Sequence, residues 1–134
     1  MQWRADLLTA ERFDDLACEF LSPLVLYQDD RQVVLHRHDR VVGLFAQLPA
    51  NYPSRGGALM EARVTAIDLP RHGRLRVWMQ YFGLDAQGLV LSRIDVAQYC
   101  RDTEAGLKTE MAEYSKCALP EIWTANRTAN AREA

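Results

Sequence analysis

Two short polar turns divide the stretch from Gly73 to Tyr114 into three strand-length runs. The first is Arg74-Leu-Arg-Val-Trp-Met-Gln-Tyr-Phe82, turned at Gly83-Leu-Asp-Ala-Gln-Gly88. Leu89 to Cys100 follows, Asp102-Thr-Glu-Ala-Gly106 turns it back, and Leu107 to Tyr114 closes the series. Connections this short, rich in Gly and Asp, join antiparallel neighbours. Leu59 to Ile67 adds a fourth long strand, led into the others by Leu69-Pro-Arg-His-Gly73. The pattern predicts one curling antiparallel sheet above a cavity, with the upstream chain as its cover.

That upstream chain reads as helix, hairpin, helix. Thr9 is placed to cap a helix, with Glu11 in its first turn. Phe13, Leu16, Ala17, Phe20 and Leu21 then form one apolar helical stripe, ended by Pro23. Met1 to Leu8 shows no period, and Trp3, Leu7 and Leu8 suggest a short lid. Leu24–Tyr27 and Gln32–His36 read as a small hairpin around the turn Gln28-Asp-Asp-Arg31. Asp39 caps a second helix carrying Val41, Leu44, Phe45 and Leu48, stopped by Pro49. Residues 50–57 read as a loop. Pro120, Ile122 and Trp123 read as a last docking segment, giving one domain over 1–123 with a frayed tail over 124–134.

Side chains alternate along a strand, so each strand divides into two sets. Met60, Ala62, Val64 and Ala66, with Leu75, Val77, Met79, Tyr81, Ile94, Val96, Gln98, Leu107, Thr109, Met111 and Glu113, form a mainly apolar set expected to face the helices. The other set holds Arg63, Trp78, Gln80, Arg93, Asp95, Tyr99 and Tyr114. Aromatic residues mixed with Arg are the composition of a protein–protein contact. The expectation is an isologous homodimer through that outer face, set against a solvated face with scattered aromatics.

The bulk numbers set limits on partners. A chain of 134 residues with net charge −2 and no basic stripe is poorly suited to nucleic acid. No run approaches the ~20 apolar residues of a membrane span. Cys18, Cys100 and Cys117 form no CxxC spacing. An odd count with no secretory leader fits reduced thiols and a cytoplasmic setting.

The order of elements, with Leu24-Val-Leu-Tyr-Gln-Asp-Asp before Gln32-Val-Val-Leu-His, then Arg76-Val-Trp-Met-Gln-Tyr-Phe-Gly-Leu-Asp-Ala-Gln-Gly, then Leu107-Lys-Thr-Glu-Met-Ala-Glu-Tyr, resembles the nuclear transport factor 2-like superfamily, also called SnoaL-like or cystatin-like. The likeness covers roughly residues 9–116. It implies an α+β cone, a curved antiparallel sheet of four long strands plus a short hairpin wrapped around N-terminal helices. It also implies a pocket between helix and sheet, and dimers through the outer sheet face. The superfamily includes isomerases, cyclases, dehydratases and proteins without known activity, so fold alone does not select a reaction.

Candidate chemistry follows from the apolar face. Glu113, by alternation, falls among Met111, Val96 and Met79, where a buried carboxylate with a raised pKa can serve as acid or base. The competing reading leaves it solvated or paired with an Arg. Tyr27, Tyr81 and Gln98 offer polar groups to a ligand, and Phe13, Phe20, Phe45, Met79 and Met111 offer apolar walls. The same residues also suit an ordinary core. His36 and His38 lack the partners of a metal site, and no cofactor is implied. Two functions therefore stand side by side. One is a small apolar-ligand binding protein or isomerase-, cyclase- or dehydratase-like enzyme. The other is a non-catalytic dimeric interaction module with a closed pocket.

Overall fold

Among the described residues, the strands form a single six-stranded sheet. A computed structural model describes residues 1–28, 31–46 and 59–116. Among them the elements are α1 (Gln2–Thr9), α2 (Phe13–Ala17), β1 (Phe20–Gln28), β2 (Arg31–Leu35), α3 (His38–Ala46), β3 (Leu59–Ile67), β4 (Arg74–Leu84), β5 (Val90–Thr103) and β6 (Gly106–Lys116). The expected turn at Asp29 and Asp30, the stop at Pro49, the 50–57 loop, Cys117 and the 117–134 segment lie outside the described residues.

The expected cone does not form. The sheet is open, in the order β2-β1-β6-β5-β4-β3 with β2 and β3 at its edges, and it is mixed rather than antiparallel. β1 runs parallel to β6, with Val25 opposite Met111 and Leu26 opposite Ala112. The short hairpin is therefore part of the same sheet, joined to its last strand. β3 keeps the expected span, Leu59–Ile67.

The long N-terminal helix is also corrected. Thr9 ends α1 instead of capping the next helix, and its hydroxyl donates back to Ala5 O at 2.9 Å. Glu11 sits at φ 57, with Glu11 N bonded to Leu8 O and Arg12 N to Leu7 O. That is a Schellman ending with Glu in the place glycine usually takes. α2 stops at Ala17, and the expected helical residues Phe20 and Leu21 open β1. Pro23, after a cis peptide bond, lies inside that strand. The physical reason is partnership on both sides. Proline in a helix interior costs ~3 kcal/mol. Leu24 and Leu26, 1% and 2% exposed, gain about 1.5–3 kcal/mol each from burial in the strand. Helix propensity differences among ordinary residues stay below ~0.7 kcal/mol.

All three helices cover one sheet face. Ala5, Leu7 and Leu8 of α1, Leu16 and Ala17 of α2, and Val41 and Leu44 of α3 join the buried strand residues in one core. α1 also guards the free edge of β3. The Gln2 side-chain amide donates to Met60 O at 2.8 Å and accepts from Ala62 N at 2.7 Å, as a neighbouring strand would.

Two bulges decide which residues face that core. Cys100 pairs with Thr109 and Tyr99 with Met111, so Glu110 is an extra residue in β6. Beyond it the alternation shifts, and Ala112 rather than Met111 turns inward. In β3, Val64 pairs with Met79 but Ala66 with Trp78, which carries Ala66 to the outer face.

Gly106, at φ 103, begins β6 in a backbone region that L side chains rarely adopt. Gly106→Ala is expected to lower unfolding free energy by about 1–3 kcal/mol, measured by urea denaturation.

Candidate functional site

The interior between α1 and the sheet is organised by a buried arginine. Arg4 is 5% exposed. Its Nη1 donates to Gln98 Oε1 and to Thr109 Oγ1, each at 2.6 Å. Its Nη2 donates to the carbonyls of Glu19 at 3.2 Å and Leu107 at 3.4 Å. The guanidinium also lies 5.1 Å from the centre of the Phe20 ring. Thr109 Oγ1 donates to Gln98 Oε1 at 2.9 Å, and Gln98 Nε2 donates to Tyr81 Oη at 3.1 Å. One chain of hydrogen bonds thus ties α1 to β4, β5 and β6. Desolvating such a cation costs several kcal/mol unless its hydrogens find acceptors.

Glu19 is the nearest carboxylate to this cation, at 3.9 Å from Arg4, and Lys108 also reaches it at 3.5 Å. Burial pushes the Glu19 carboxyl up, but the hydrogen bond from Trp3 and the charges of Lys108 and Arg4 outweigh it and hold it below its ordinary value of 4.5. Burial pushes the Tyr81 phenol above its ordinary 10.0, only partly offset by Arg4 and Gln98. The Cys100 thiol, 3.6 Å from Thr109 Oγ1, is likewise pushed up from 9.0 by burial.

A cavity of about 50 Å³ adjoins the network. Arg4, Gln98 and Tyr81 face it, and Phe20, Phe45 and Tyr114 are among its walls. Four of the sequence-nominated pocket residues, Phe20, Phe45, Tyr81 and Gln98, are therefore brought together. Met79 is buried in the sheet core, and Phe13 packs against the core away from the cavity.

Three nominated residues are elsewhere. Glu113 pairs with Ala97, Met111 with Tyr99, and Tyr27 stands beside Glu113 across the parallel ladder. All three lie on the outer face. Glu113 is exposed and accepts from Tyr99 Oη at 3.3 Å, so it is not among Val96 and Met79. Tyr114, assigned to the outer face from alternation, instead lines the cavity. The extra residue Glu110 accounts for every one of the β6 reversals. Arg4 went unnominated, because a single arginine among Ala5, Leu7 and Leu8 in a stretch without period carries no signal for burial.

The outer face has its own organisation. Arg76 lies 4.3 Å from the Trp78 ring centre and 5.6 Å from that of Tyr99, and also pairs with Asp68 at 3.1 Å. Arg63 lies 5.1 Å from the Phe82 ring centre. Arg93 makes two 2.7 Å contacts to the Asp95 carboxylate. A depression of about 320 Å³ runs between Trp78, Gln80, Asp95, Tyr99 and Glu113. His38 is 3.9 Å from Asp14 at the surface, and no group of three His, Cys, Asp or Glu among the described residues is arranged to hold a metal. No helix among them is long and apolar enough to cross a membrane.

No family model matches the sequence, and no curated protein sequence does. Solved structures do match the fold. A domain of unknown function with a cystatin-like fold from Nostoc punctiforme PCC 73102 aligns with TM-score 0.65 at 10% identity, over 90% of this chain and 74% of that one. An NTF-2 like protein of unknown function from Shewanella oneidensis MR-1 aligns with TM-score 0.62 at 10% identity, over 84% and 90%. A ketosteroid isomerase-like protein from Erwinia carotovora atroseptica SCRI1043 aligns with TM-score 0.59 at 14% identity, over 87% and 89%. The chain thus shares the NTF2-like, cystatin-like fold.

Two outcomes follow from the network. Arg4→Ala strands Gln98 and Thr109 and is expected to cost about 2–4 kcal/mol in urea denaturation. Tyr81 holds its proton more tightly folded than unfolded. Its contribution is therefore full below its ordinary 10.0 and is lost as pH rises beyond it. Stability against pH should decline on the alkaline side, and Tyr81→Phe should flatten the part of that decline above pH 10.0.

Proposed function

We propose that this chain is a non-catalytic interaction module with a closed interior, which pairs with a second copy of itself through the outer sheet face. The observation that carries this reading is the filled interior. Ordinary ligand pockets occupy about 300–1,000 Å³, and the cavity beside Arg4 offers about 50 Å³. Among the described residues no carboxylate is in its walls, and Glu113 is on the opposite face. At that interior position, the enzymatic and apolar-ligand readings would need both room and an acid or base. Similarity to a ketosteroid isomerase-like protein at 14% identity supports the fold and not that chemistry.

The outer face supports the pairing. Trp78 and Tyr99 are held by Arg76, and Phe82 by Arg63, so their ordering is achieved before any contact. Both charge signs are interspersed there, Arg63 and Arg93 with Glu61, Asp95 and Glu113. A two-fold copy can therefore set each sign against its opposite. Of the residues nominated for this contact, Arg63, Trp78, Gln80, Arg93, Asp95 and Tyr99 share the face, and Tyr114 is outside the proposal.

Size-exclusion chromatography with light scattering tests it. The expected mass is twice the 15.3 kDa of the chain. Trp78→Glu should give a monomer with an unchanged far-ultraviolet spectrum. A monomeric parent protein refutes the pairing. A saturable thermal shift with steroid-sized fragments refutes the closed interior.

A further inference from the structure

One corner of the outer face gathers cations from adjoining stretches of chain. Arg71 and Arg74 stand opposite each other across a tight turn, with Arg71 N bonded to Arg74 O at 2.8 Å and Arg74 N to Arg71 O at 3.0 Å. His72 and Gly73 between them have φ of 54 and 73, as a two-residue hairpin turn requires. Arg74 in turn stands opposite Arg101 on β5. Arg71, Arg74 and Arg101 therefore form one cross-strand row, although like charges set opposite one another destabilise a sheet. Arg76, two residues along β4, adds the same sign to the same face.

These groups border a groove of about 890 Å³, a volume within the range of ligand sites. Arg71, Arg74 and Arg76 are in its walls with Asp68 and Glu110, and Arg101 reaches the same Glu110. Four guanidinium groups thus meet two carboxylates there, in a chain whose net charge is −2. Glu110 shows how the row takes an anion: one oxygen lies 3.0 Å from Arg74 and the other 2.7 Å from Arg101. A phosphate monoester offers three oxygens and a charge of about −1.5 to −2 at pH 7, which matches several guanidinium forks better than a second carboxylate does. Tyr99 and Leu69, the latter 90% exposed, add a ring and apolar surface to the same groove.

We propose that this groove binds a small organic phosphate monoester that carries a planar ring, of the nucleoside monophosphate kind. The phosphate lies on Arg71 and Arg74, Arg76 and Arg101 add charge behind them, and the ring lies against Tyr99 and Leu69. The site goes beyond the self-pairing, which centres on Trp78, Gln80 and Asp95 further along the face, with Tyr99 bordering both. Either can fail alone, since pairing is read by mass and this site by titration.

The test is a titration of the full chain with AMP, with inorganic phosphate and with adenosine, at ionic strength held constant with potassium chloride. The phosphorus line of AMP should shift saturably, and AMP should bind about tenfold more tightly than inorganic phosphate. Adenosine should give no saturable response. Arg71→Gln, a change on an exposed turn, should weaken AMP about tenfold with an unchanged far-ultraviolet spectrum. Tyr99→Leu should remove most of the difference between AMP and inorganic phosphate. A shift that never saturates, an unchanged affinity in Arg71→Gln, or equal binding of AMP and inorganic phosphate overturns the proposal. An affinity for thymidine oligonucleotides that climbs with their length also overturns it, and assigns the row to single-stranded nucleic acid.

Discussion

Much of this structure follows from taking one guanidinium out of water. Arg4 is carried inward because its neighbours Ala5, Leu7 and Leu8 must be buried for α1 to dock. Once inside, it needs acceptors, and it draws them from two strands, β5 and β6, and from the chain between α2 and β1. Gln98 and Thr109 would be liabilities under an apolar helix, and they become satisfied by the same contact. The interaction is reciprocal: neither the helix nor the polar sheet residues would be well placed without the other.

The second constraint is the extra residue in β6. A strand normally keeps one face inward over its whole length. Glu110 interrupts that rule after Thr109, and everything beyond it changes sides. Ala112, small enough to lie flat beside Gln98, takes an inward position, and Glu113 goes out to meet Tyr99. Glu110 itself is held between Arg74 and Arg101, at 3.0 and 2.7 Å, so the bulge is fixed by charge pairs on the outer face. The absence of an acid among the cavity walls is therefore a consequence of strand geometry rather than of composition.

A shared fold leaves function open. The solved structures that it matches include proteins of unknown function and an isomerase-like one, all at low identity. Among the described residues, the fold contributes a sheet with one face covered by helices and one face left uncovered. The covered face carries a compact polar network, and the outer face carries stacked Arg and aromatic groups.

The local pattern by itself determined the strands. Alternation and turn chemistry placed β3 to the residue and β4 to β6 to within three residues at each end, because period-two burial and Gly- or Asp-bearing turns are local properties. Helical spacing also placed α3, and alternation placed Trp78, Gln80, Asp95 and Tyr99 on one face with Val77, Met79 and Tyr81 on the other. Three things needed the tertiary structure. β1 took over part of the expected helix because β2 and β6 offered ladders on both its sides, one of them from the far end of the chain. The face of Glu113 and Tyr114 depended on a bulge, which leaves no mark on residue spacing. The burial of Arg4 depended on acceptors 94 and 105 residues away in the chain. Periodicity reports what a residue prefers among its neighbours in sequence, and it is blind to a charge whose partners arrive only when the sheet is assembled.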